Sequence, residues 1–159
     1  MAYNYSKQVE GNHAKAVGVA LPISRKRSVE ICSTLRGMRL EKAKTLLENV
    51  IALKIPIAYK RYNSDVAHRA GMSAGRYPKD TAQQILLILK NAEANAQNVG
   101  LSTSKLVIAH AGAQQGPQQM RFGRRRAKAK RTHIEIILTE STEQTKKEKR
   151  AQKTAGAKA

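Results

Sequence analysis

The sequence predicts an α+β chain. Three observations carry that reading: three stretches with apolar residues at helical spacing, alternating segments on either side of them, and a long basic ribbon between the last two alternating segments. Residues 1–12 are polar and irregular and read as a loose arm. "AKAVGVALPI" then alternates as a strand does, with Ala16 and Gly18 opposed to Val17 and Val19, and Pro22 keeps a helix from starting early. Ser24 is a good N-cap, and Val29, Glu30, Cys32 and Leu35 follow at helical spacing until Gly37. "SRKRSVEICSTLRG" is therefore expected as a short first helix. In "LEKAKTLLENVIALK", Leu40, Ala43, Leu47, Val50 and Ile51 share one face and Lys42, Lys44 and Glu48 the other, which predicts a second helix ended by Pro56.

The stretch "IAYKRYNSDVAHRAGMSAGRYP", residues 57–78, has chain breakers and no sustained period, so a long ordered loop is expected. Pro78, with Asp80 in the first turn, opens the longest helix. Its stripe of Ile85, Ile88, Leu89, Ala92, Ala96 and Val99 ends at Gly100 and should supply most of the core. "KLVIAHAG" and "THIEIIL" predict two final strands, with a projecting hairpin at about 112–132 between them. Residues 141–159 are rich in lysine and alanine and poor in bulky apolar side chains, so a basic tail without order of its own is expected. Residues 13–140 remain as one domain. A chain of 159 residues with 41% hydrophobic side chains is long enough for one core and short for two.

A formal charge of +19 and a pI near 10.5 call for a polyanionic partner. Nucleic acid fits best. A membrane is not expected, because the chain has no Trp, one Phe and no basic amphipathic helix with bulky anchors. The longest apolar run, "ILLIL", is far too short to span a bilayer, no targeting segment is visible, and a cytoplasmic location is expected. The lone Cys32 cannot form an internal disulfide.

The densest charge lies in "MRFGRRRAKAKR", where Arg121, Arg124, Arg125, Arg126, Lys128, Lys130 and Arg131 make seven cations without an acid. Each arm of this ribbon has about nine residues and could extend about 30 Å. An isolated two-stranded hairpin is marginal in water, so the finger is expected to have no fold of its own until polyphosphate surrounds it. Arginine forks bind phosphate and stack on bases, and Gly123, Ala127 and Ala129 allow close backbone approach, so folded RNA is the physical match. A solvated, mobile loop is the rival reading. The central loop interleaves Tyr59, Tyr62 and Tyr77 with Lys60, Arg61, Arg69 and Arg76, a composition suited to phosphate contact and base stacking. Its tyrosines could equally cover a core edge. Arg25, Lys26 and Arg27 at the first helix start suit a phosphate, against a plain solvated face.

No enzyme is expected. His13, His68, His110 and His133 are scattered, no metal site or nucleophile pair has the required spacing, no glycine loop of nucleotide-binding spacing occurs, and no cofactor is expected. His133 and Glu135 share a sheet face, a spacing that suits a structural hydrogen bond.

Three stretches, "ISRKRSVEICSTLRGMRLEKAKTLLENVI", "YKRYNSDVAHRAGMSAGRYPKDTAQQILLILKNAEANAQNVGL" and "THIEIILTE", carry a resemblance. With "LRGM", "GRYP" and "NAEANA" in that order, residues 12–140 closely resemble the universal large-subunit ribosomal protein family numbered twenty-two in bacteria and seventeen in eukaryotes, archaeal and eukaryotic type. The resemblance implies three helices packed on a small antiparallel sheet with a long protruding β-hairpin. It also implies binding to large-subunit ribosomal RNA, support of subunit assembly, and a share in the wall of the nascent polypeptide exit tunnel. Neighbouring ribosomal proteins there and, transiently, the nascent chain would be partners. By position it implies that Arg25, Lys26, Arg27, Arg61, Tyr62, Asn63, His68, Arg69, Arg76 and Tyr77 face RNA; the ribbon cations are assigned by charge alone. The tip departs from the family: "GPQQMRFGRRRAKAKRTH" is shorter and lacks the usual proline and arginine pattern, so its reach to the tunnel constriction has less support than RNA binding. A general nucleic-acid-binding or nucleoid-compacting protein is the alternative that composition permits.

Overall fold

The computed structural model describes residues 3–9, 11–124 and 126–141; Arg125 and the expected tail from 142 onward lie outside the described residues. Its elements run β1 (His13–Leu21), α1 (Arg25–Leu35), α2 (Leu40–Ile51), β2 (Ile57–Ala58), β3 (His68–Arg69), β4 (Met72–Arg76), α3 (Lys79–Asn98), a 3-10 turn (Thr103–Lys105), β5 (Leu106–Gln115) and β6 (Thr132–Glu140). The long strands form one antiparallel sheet in the order β1-β6-β5. Helix α1 lies over β5, α3 lies over β1 and β6, and α2 packs on α3, so the helices share one face of the sheet. This is the α+β arrangement expected, with the β5-β6 hairpin projecting from it.

Residue size decides how closely α3 approaches β1. Ala14, Ala16 and Gly18 face inward, whereas Val19 is exposed. A Cβ on Gly18 would stand 2.5 Å from Ile88 Cδ1, so the absence of a side chain there is what admits the helix. The Asn95 side chain then donates to the Lys15 carbonyl at 2.9 Å and ties α3 along the strand. Strand β6 is central and buried on both faces from Ile134 to Leu138, which hides its alternation. The free edge of β5 is covered in part by residues 37–39: Gly37 N–H donates to the Ile108 carbonyl at 2.8 Å and Ile108 N–H to the Met38 carbonyl at 3.0 Å.

Four local expectations change. Residues 57–78 hold a second sheet, β2-β4-β3, rather than a plain loop. Its strands are two to five residues long and run through Ala74 and Gly75, too short and too small-chained for a period to show. Helix α2 stops at Ile51, before Pro56, because Leu53 takes φ +61°. Val99, placed on the core stripe, is the C-cap of α3 and is exposed. The expected loose arm is fastened: the Tyr3 hydroxyl donates to Glu135 Oε1 at 2.8 Å, and Ser6 donates to Oε2 from N–H at 2.9 Å and from its hydroxyl at 2.7 Å.

Candidate nucleic-acid interface

The start of α1 is set by the hairpin base. The buried Thr132 hydroxyl donates to the Ile23 carbonyl at 2.8 Å, fixing the residue before the N-cap against the first pair of β6. Ser24 occupies the N-cap in extended conformation but makes no side-chain cap hydrogen bond, and the first turn has no acid. Its amides therefore face outward beside three exposed cations, Arg25, Lys26 and Arg27.

A buried carboxylate positions the second part. Glu30 is 2% exposed and accepts three backbone N–H groups, from Lys60 at 3.0 Å, Arg61 at 2.9 Å and Tyr62 at 2.8 Å. The 60–62 segment is thereby held against α1, with Lys60 and Arg61 exposed and Tyr62 packed in part against the core. The Arg76 guanidinium at the end of β4 donates to the Asp65 carbonyl at 2.8 Å and closes this loop from the other side.

These constraints bring Lys26, Arg27, Arg61, Tyr62 and Arg76 together with Lys130 of the hairpin around a cleft of about 300 Å³. A groove of about 290 Å³ adjoins it and is bordered by Arg25, Lys26, Lys130 and Arg131. Lys26 and Lys130 line both, so body and hairpin base present one basic surface. None of these cations is ion-paired among the described residues. Asn63, His68, Arg69 and Tyr77 do not line the cleft; Arg69 instead lies 5.6 Å over the Tyr77 ring. Arg121, Arg124, Arg126 and Lys128 are exposed farther out on the hairpin.

The aromatic residues divide. Tyr62 has Lys26 Nζ 5.6 Å and Arg61 Cζ 5.7 Å from its ring centroid, so two cations already flank it. Tyr59 covers the core edge at 6% exposure and is also among the residues that line the cleft, with its hydroxyl buried. Burial pushes the Tyr59 phenol above its ordinary value of 10.0, against the pull of Arg27 and Arg76, so it is a neutral donor at neutral pH. Glu30 was missed as a site residue; for Tyr59 the two readings, RNA contact and core edge, stood level, and its ring lies at the core edge. A lone acid on a cationic helix and the spacing "YKRY" were the available signals, and neither reveals burial.

The ribbon departs from the expected unfolded finger. The ladder runs to Gln115 opposite Thr132, three residues beyond the expected limit, and Gly116 N–H donates to the Arg131 carbonyl at 2.9 Å. Farther out, Ala129 N–H donates to the Gln119 carbonyl at 2.7 Å and Arg121 N–H to the Ala127 carbonyl at 3.0 Å, with Gly123 at φ +104° in the tip. Pairing persists because each added pair extends a ladder already formed on the core, which an isolated hairpin lacks. Its tip exposes Met120 and, entirely, Phe122.

Among the described residues no three His, Cys, Asp or Glu side chains could hold a metal ion, and no helix is long and apolar enough to cross a membrane. Cys32 is buried in the core, which pushes its thiol up to about 12.

Comparison with known proteins decides the family. The family model described as ribosomal protein L22p/L17e matches residues 16–139. The chain belongs to this family. A protein of Archaeoglobus fulgidus named large ribosomal subunit protein uL22 is 47% identical over 117 residues, 72% of this chain and 76% of the relative. Proteins of the same name are 44% identical in Methanothrix thermoacetophila, covering 86% of this chain and 96% of the relative, and 42% identical in Staphylothermus marinus, covering 87% and 96%. The family expected from the motifs, in its archaeal and eukaryotic type, is the one found, and these relatives are archaeal. Its members are ribosomal proteins, and this chain is not an enzyme.

Proposed function

We propose that the protein is a structural constituent of the large ribosomal subunit that binds ribosomal RNA through the body cleft and the hairpin, supports assembly of the subunit, and contributes its hairpin tip to the wall of the exit tunnel. As a ribosomal protein it works in the cytoplasm. The observation that carries the reading is the convergence of the α1 start, the 60–76 segment and the hairpin base on one basic surface whose cations make no ion pair among the described residues. Arginine and lysine from three separate elements match a folded backbone with phosphates on several sides better than a flat anionic layer. The exposed Phe122 and Met120 at the end of a polar hairpin support a tip that meets a surface other than bulk water, such as a neighbouring ribosomal protein or a passing nascent chain.

The test uses the full chain and protein-free large-subunit ribosomal RNA. Binding should weaken steeply with salt, the logarithm of affinity falling by roughly 0.7 to 0.9 per phosphate contact against the logarithm of salt. Replacing Arg121, Arg124 and Arg126 with Ala should lower that slope and leave helicity unchanged. Equal or tighter binding to duplex DNA under the same salt would overturn the reading in favour of a general nucleic-acid binder.

A further inference from the structure

Among the described residues, the Tyr59 hydroxyl is the one buried side-chain polar atom without a hydrogen-bond partner. Such a group is costly where it is, since it has lost water and gained nothing. Its surroundings show what it lacks. A neutral phenol can donate, yet Arg27 and Arg76, which line the same cleft and act on it electrostatically, are themselves donors. Glu30, also near, has its carboxylate engaged by three backbone amides. A donor facing donors calls for an acceptor from outside, and cations facing one another call for that acceptor to be negative.

We infer that Tyr59, Arg27 and Arg76, with the uncapped start of α1 at Ser24, form a discrete pocket for one backbone phosphate of RNA. The inference rests on the RNA-binding reading above and specifies a single anchoring point within it. The cavity is large enough for one phosphate group with its flanking sugars and is open to solvent on one side. The Ser24 hydroxyl makes no cap bond, so it is available as a further donor together with the first amides of α1. Lys130 brings the hairpin base to the rim, so a phosphate held there would be touched by body and hairpin at once. Asp65 also lines the cleft as an exposed carboxylate, opposed by five cations. The pocket differs from the rest of the basic surface because it contains a buried neutral donor, which contributes geometry without counter-ion release.

That difference makes it testable with a variant that alters no charge. Tyr59→Phe removes one oxygen and leaves the ring in the core. The free full-length protein should melt at the wild-type temperature or slightly above it, while affinity for protein-free large-subunit ribosomal RNA falls about tenfold. The salt slope of Tyr59→Phe should stay at the wild-type value. Arg27→Gln should lose affinity and also lower the slope by roughly 0.7 to 0.9, and Lys90→Gln, an exposed charge outside the cleft, serves as the control for general charge loss. Wild-type affinity in Tyr59→Phe would overturn the pocket. A loss of affinity accompanied by a matching drop in melting temperature would also overturn it, because the hydroxyl would then serve the fold. If the wild-type chain fails to bind the RNA at all, the RNA reading itself falls; if it binds and both cleft variants bind equally well, only the pocket does.

Discussion

Glu30 should be the most consequential polar residue of the body, and its removal gives the sharpest test of how the interface is built. Two of its three amide bonds, from Arg61 and Tyr62, end on Oε1, and the third, from Lys60, ends on Oε2. A hydrogen bond to a charged group contributes about 1.5–3 kcal/mol. The three amides belong to one half-exposed loop and can partly rehydrate when released, so they do not add independently. Glu30→Ala is therefore expected to cost about 3–5 kcal/mol. Glu30→Gln keeps one acceptor for Arg61 and Tyr62 but turns an amide donor toward the Lys60 N–H, and should cost about 2 kcal/mol. At about 3 °C per kcal/mol for a domain of this size, thermal unfolding followed by circular dichroism should shift by about 10–15 °C for Ala and about half that for Gln. RNA affinity should fall in parallel even well below the melting range, since the loop carrying Arg61 is no longer held against α1. A shift of less than about 3 °C in Glu30→Ala would refute the claim that this carboxylate organises the cleft.

Leu89 is fully buried on α3, and Leu89→Ala should cost about 2–5 kcal/mol; an unchanged melting temperature would remove it from the core. Gly18→Val places branched carbon where a single Cβ already meets Ile88 Cδ1 at 2.5 Å and Leu21 Cδ1 at 2.8 Å, and should cost about 1–3 kcal/mol, read by chemical denaturation. Acid should loosen the N-terminal segment in two stages. Burial alone would raise the Glu135 carboxyl, but the hydrogen bonds from Ser6 and Tyr3 outweigh it and hold it below its ordinary 4.5, so its contribution is complete above that value and is lost as pH falls through the lowered one. His110 is lowered from 6.5 mainly by burial, with Arg36 and Lys7 adding and Glu135 opposing, so it too stabilises the neutral-pH fold and gives this up as pH falls below 6.5. Melting temperature against pH should show both losses, and Glu135→Gln should abolish the lower one.

Helix existence was legible because three stretches repeat apolar residues over ten or more positions, and burial confirms Leu40, Ala43, Leu47 and Val50 on α2 and Ile85, Ile88, Leu89, Ala92 and Ala96 on α3. The small second sheet was not legible, since strands as short as Ile57–Ala58 contain no period to read. The cations of the cleft could be named in advance from residue type, and Lys26, Arg27, Arg61 and Arg76 do converge. Asn63, His68, Arg69 and Tyr77 came from the same stretch yet do not line it; His68 and Arg69 are carried away in β3, which pairs with β4 before Arg76 returns.

Composition and local periodicity by themselves determined that this chain is a cationic α+β body with a charged finger, because charge and amphipathic spacing are properties of neighbouring residues. Which cations share a phosphate-sized space, and which acid and which tyrosine stand behind them, was decided only when α1, the 59–62 segment and the hairpin base met. Glu30 is 30 to 32 residues from the amides it holds, and Thr132 is 109 residues from the carbonyl it binds. Burial and hydrogen bonding across such separations are made by packing, and no local pattern encodes them.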